Sequence, residues 1–76
     1  MITINEYDKA RIGKPVYCYD TEKNTIVEIE KAGTLFARDC GGNLGIYDLL
    51  CNVFYPIESC FLRLRECKAY AKHWGK

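Results

Sequence analysis

Few residues in this chain have the type and spacing to do chemistry. The richest run is RDCGGNLGIYD, Arg38 to Asp48, which holds a thiol and three glycines. A dinucleotide-binding loop needs its glycines in GxGxxG spacing between a strand and a helix, so that backbone amides can approach a pyrophosphate. Gly41, Gly42 and Gly45 lack that spacing, and LGIYDLL reads as a strand rather than a helix. No lysine with a hydroxyl neighbour follows, which removes a P-loop as well. The run predicts a tight hairpin turn, with CGGN supplying positive φ values and Asn43 accepting the left-handed region. Bare amides at such a turn form a small anion nest, and Arg38 stands beside them.

The remaining reactive groups are scattered. Cys18, Cys40, Cys51, Cys60 and Cys67 are an odd set, so they cannot form a closed disulfide framework. The opening MITINEYDKA lacks the basic and then apolar blocks of an export signal, and a reducing, cytoplasmic setting is expected. No C-x-x-C pair occurs, whereas structural zinc sites usually contain one close pair. A zinc site from Cys40, Cys51, Cys60 and a fourth ligand is the minority reading; small apolar core residues are the main one, with no metal or cofactor expected. His73, the one histidine, lies six residues after Cys67, which is not a facing helical spacing for a nucleophile and its base. Glu28 and Glu30 share a strand face and could raise one another's pKa, but an exposed face makes them solvating residues. With little room for a water-excluding pocket in 76 residues, an enzyme is not expected.

These groups must be positioned by a small set of elements. Thr3 and Glu6 have capping-box spacing, with Ile2 and Tyr7 at the positions of a hydrophobic staple. They predict a helix over 4–12 ended by Gly13 in the left-handed region. PVYCYD and TIVEIEK alternate as strands around the polar turn TEKN. LFARDC and LGIYDLL form the next pair, VFY, with or without CFL, supplies a short fifth strand, and Pro56 closes the strand region. A second helix is predicted over 64–74, with Phe61, Leu64, Cys67, Ala71 and Trp74 on one side and Arg65, Lys68 and Lys72 on the other. The expected fold is α+β, one domain over 1–76: a small antiparallel sheet or SH3-like, partly open barrel of four to five strands, flanked by the two helices.

Charge and aromatic content narrow the function. Residues 1–62 carry six Lys/Arg against nine Asp/Glu, while residues 63–76 carry five against one. A basic tail on an acidic body points to an anionic partner or to head-to-tail self-contact, and equally to a solvated helix face. No apolar run reaches the roughly 20 residues of a membrane span, so no membrane partner is expected. Tyr17, Tyr19, Tyr47 and Tyr55 all fall in predicted strands and cannot all be buried in so thin a core. Exposed aromatics beside Arg or Lys can stack a base or build a self-association surface. The candidate ligand site is therefore Arg38, the amides of Gly41, Gly42 and Asn43, Tyr47, and Arg63 and Arg65 of the basic tail. A homo-oligomer is expected, because thin cores need a staple.

ITINEYDKARIGKPVYCYD, a capped helix ending in xxGxxV before a strand, resembles the opening of many small accessory proteins encoded by phages and prophages. CFLRLRECKAYAKHW is similar to their ending, a short strand running into a charged, alanine-containing helix. The resemblance implies a non-enzymatic binding protein that antagonises a bacterial defence system, either by sequestering a nucleotide signal or by masking a host defence protein. The alternatives are a nucleic-acid-binding SH3-like module, which near-neutral net charge disfavours, and a purely structural oligomerising protein.

Overall fold

The computed structural model describes residues 1–74 and shows an α+β fold. In chain order the elements are α1 (Ile4–Lys9), β1 (Pro15–Asp20), β2 (Thr25–Glu30), β3 (Thr34–Arg38), β4 (Leu44–Asp48), β5 (Val53–Pro56), β6 (Cys60–Phe61) and α2 (Leu64–Trp74). The strands form two antiparallel three-stranded sheets, ordered β2-β1-β6 and β3-β4-β5, which remain an open pair rather than a closed barrel. Single 3₁₀ turns at Lys31–Gly33 and Ile57–Ser59 carry the chain from one sheet to the other and back.

Six strands stand where four or five were expected, because VFY and CFL belong to different sheets. Pro56 has no amide for a further ladder bond, and after the turn at Ile57–Ser59 the chain pairs with β1 instead. The first helix is shorter than the expected 4–12. Its capping box is complete, with Glu6 N–H donating to Thr3 Oγ1 at 3.2 Å and Thr3 N–H to Glu6 Oε1 at 2.9 Å. Its end is set by tertiary partners, not by Gly13, which is not among the positive-φ residues. The Lys31 ammonium donates to the carbonyls of Asp8 and Ala10 at 3.2 and 2.9 Å. Ala32 N–H donates to the Ile12 carbonyl. These bonds draw the chain out into extended backbone at Ala10.

β1 is covered on both faces. Val16 and Cys18 point between the two sheets, where they join Ile2, Tyr7, Ile46, Tyr55 and Cys60. Tyr19 points the other way, under α2, with Phe61 and Cys67, and Tyr17, Tyr70 and Ala71 pack around them. Only the middle of α2 is held down. Leu64 and Trp74, expected on its buried side, overhang at its two ends and are 38% and 58% exposed.

Candidate functional site

The turn after β3 holds the first group of expected ligand residues, and it is already occupied by the chain itself. Asp39 Oδ1 accepts the amides of Gly41 and Asn43, both at 2.9 Å. These bonds hold the Asp39 carboxyl below the ordinary carboxylate range, Asn43 contributing most. Arg38 Nη1 donates to the Gly42 carbonyl at 2.7 Å. The anion nest is real in geometry, and its anion is an internal side chain, so it offers no free cradle to a ligand. The turn chemistry differs from expectation too. Of CGGN only Gly42 has positive φ, at 84°, because the Asp39 carboxylate organises the turn as an Asx motif.

Gly45 belongs to the strand expected from LGIYDLL. It lies within β4, opposite Pro56, and a Cβ there would collide with the Tyr55 carbonyl and the Phe54 ring. Tyr47 stacks edge-on against Phe54, centroids 4.9 Å apart, and is half-buried. Neither it nor Arg38, Gly41, Gly42 or Asn43 lines the surface that holds Arg63 and Arg65. The expected site is thus three separate places. The cysteines divide in the same way: Cys40 and Cys51 are exposed, whereas Cys60 is fully buried beside Cys18. Glu28 and Glu30 are exposed on an edge strand, as solvating residues are.

Two of the molecule's concave surfaces lie one at each end of α2. The first, a groove of about 440 Å³, lies where the C-terminal half of α2 meets the end of β1 and the β5 region. Tyr19, Phe54, Tyr55, Tyr70 and Trp74 give it five aromatic rings, of which Tyr19 and Tyr55 are buried at its floor. Tyr70 is central, with its ring 6.1 Å from both Tyr19 and Trp74. Asp20, Glu22 and Glu58 are the charged residues lining the groove, and all three are acidic. The Tyr19 hydroxyl is engaged by Asn24 Oδ1, the left-handed residue that closes the β1–β2 turn. Burial, and then the neighbouring Asp20 carboxylate, push the Tyr55 phenol up to about 12. Tyr55 therefore stays neutral, and the field it feels is negative.

The second surface, a shallow hollow of about 470 Å³, lies at the N-terminal end of α2. Lys14 joins Arg63 and Arg65 here, against Glu66 alone. Arg63 and Glu66 approach only to 3.9 Å, and both are well exposed, so this pair contributes little. The hollow keeps a positive excess.

Sequence reasoning placed Tyr19, Tyr55 and Trp74 as separate aromatics and overlooked Tyr70. The groove depends on residues from 19 to 74 that meet only through the pairing of β1 with β6 and the return of α2. Among the described residues no three of His, Cys, Asp and Glu gather as a metal-binding group, and no helix is long and apolar enough to cross a membrane. No family model, curated protein or solved structure matches this chain.

Proposed function

We propose that this chain is a non-enzymatic interaction protein whose aromatic groove docks on a cationic segment of a partner protein. One observation carries the reading: five aromatic rings share a groove with three carboxylates, and no cation lines it among the described residues. Ring faces carry negative quadrupole density and attract ammonium and guanidinium groups, most strongly when partly desolvated. Carboxylates at the rim then steer and orient the same cation. A phage-type accessory factor has two routes to antagonise a defence system, and this groove favours masking a protein over sequestering a nucleotide. A phosphate there would meet like charge from Asp20, Glu22 and Glu58. The basic hollow of Lys14, Arg63 and Arg65 supports the nucleotide route as the second reading.

Trp74 is the chain's one tryptophan and borders the groove, so its fluorescence reports occupancy. Titration with a short peptide containing arginine and lysine should give a saturable change that weakens with salt. The Glu22→Gln/Glu58→Gln variant should lose most of it, and a peptide with glutamine in place of its cations should give none. Saturation by a nucleoside triphosphate with no response to the basic peptide would overturn the reading in favour of the second.

A further inference from the structure

We infer that the resting occupant of the groove is the basic end of a second copy of this chain, so that the protein associates head to tail and a partner's cationic segment competes with that association. The inference rests on the preceding reading that the groove takes cations.

The complementary surface is on the same molecule. The groove presents Asp20, Glu22 and Glu58, and the far end of α2 presents Lys14, Arg63 and Arg65. The 11 residues of α2 separate the two by about 16 Å at the helical rise per residue, too far for either end to neutralise the other. The helix dipole is positive at the arginine end and negative at the groove end, in the same sense as the two linings, although α2 itself carries Glu66 in its first turn and Lys72 in its last. Within one molecule the acidic lining and the basic hollow are held apart, at a cost in free energy. Docking one copy's arginine end into the next copy's groove offsets it.

The apolar parts correspond as well. Leu64 overhangs between Arg63 and Arg65, and Trp74 overhangs at the rim of the groove. Each is the large apolar side chain left uncovered at its own end of α2. Seating the Arg63–Leu64–Arg65 corner in the groove would bring the leucine onto the rings and the guanidinium groups onto ring faces and carboxylates.

The symmetry follows from the placement. The two surfaces differ and lie at opposite ends, so the contact is heterologous, and a heterologous contact repeats into an open series or a ring instead of closing as a pair. The contact is small and charged, so it should be weak and strongly salt-dependent, since exposed charges are screened beyond about 10 Å at 0.1 M salt.

Sedimentation velocity on the whole chain tests this, together with a charge exchange. Glu22, Glu58, Arg63 and Arg65 are all exposed, and circular dichroism checks that each variant folds. The wild type should sediment as a concentration-dependent series that collapses to monomer as salt rises. The Glu22→Lys/Glu58→Lys variant has two basic ends and the Arg63→Glu/Arg65→Glu variant two acidic ones, so each alone should be monomeric. An equimolar mixture should associate again, and the basic peptide should dissolve the wild-type series. A wild type that stays monomeric in low salt, one closed dimer, or a mixture that fails to associate would each overturn the inference. If the wild type is monomeric yet its Trp74 still responds to the peptide, only the self-docking fails; if the peptide also has no effect, the cation groove fails with it.

Discussion

The thiols of Cys18 and Cys60 face each other at 3.6 Å inside the core, from directly paired positions of β1 and β6. The Cys18 S–H donates to Cys60 Sγ, and the Cys60 S–H donates to the Pro56 carbonyl at 3.3 Å. The two thiols thus form a short relay that ends on the backbone. Burial and retained protons both suppress reactivity, because the thiolate is the nucleophile. Alkylation of the native protein should therefore modify Cys40 and Cys51, the exposed pair, and spare Cys18, Cys60 and Cys67 until the chain is unfolded. Intact mass would show two additions before denaturation and five after. Rapid addition at a third site would contradict the buried relay.

The same burial sets the alkaline limit of stability. The hydrogen bond with Cys60, and then burial, raise the Cys18 thiol, while burial pushes Cys67 from 9.0 up to about 11. Tyr55 moves from 10.0 to about 12. Each of these groups loses its proton more readily in the unfolded chain than in the folded one. Their contribution is therefore complete below the unfolded values and is lost as pH rises through them toward the folded values. Denaturant midpoints should be flat from neutrality to about pH 9 and fall above it. Cys67→Ala should make that alkaline fall shallower; an unchanged slope would show that Cys67 is not one of the titrating groups.

The three glycines of the central run should respond to alanine in a set order. At Gly45 the new Cβ meets backbone and ring, with Phe54 Cε1 at 2.7 Å, and a packed strand cannot yield. A loss of about 3 kcal/mol is expected. At Gly42 there is open space but φ is 84°, so the cost is that of one left-handed residue, about 1 kcal/mol. At Gly41 the nearest atoms are at 3.4 Å and the effect should stay within about 0.5 kcal/mol. Urea melts of the three variants read this order directly.

Asp39→Ala should empty the anion nest. At neutral pH the variant should be less stable than the wild type. The difference should shrink as pH falls below 3.8, because a carboxylate with a depressed pKa contributes above its unfolded value and loses that contribution below it. Phosphate should then shift the amide resonances of Gly41 and Asn43 in the variant but not in the wild type. Equal shifts in both would mean that Asp39 does not fill the nest.

What the sequence made legible was local. The capping box, both helices, the β1–β2 hairpin and the Gly41–Asn43 turn each depend on residues within a few positions of one another, and each formed. The Asp39 clasp was also readable, since an aspartate two and four residues before its amides is an Asx signal. The groove was not readable. Nothing in the spacing of Tyr19, Tyr55, Tyr70 and Trp74 indicates that they share one surface, because their meeting is a product of strand order. The role of Gly45 was hidden for the same reason: the ring it accommodates belongs to Phe54 on the neighbouring strand.

β1, covered on both faces, also has consequences for how the chain is made. Its second edge is filled by Cys60 and Phe61, its outer face by α2, and the amide of Ile2 bonds the carbonyl of Cys60 at 3.0 Å. The first strand synthesised is thus completed by residues 60–74, the last of the described chain. While the ribosome still holds that segment, no earlier portion can close its core. Folding must wait until residues 60–74 have emerged and proceed as one event dominated by contacts distant in sequence. A chain stopped after Glu58 should show no cooperative melt, and one that melted cooperatively would mean that the two sheets can close without their final strand.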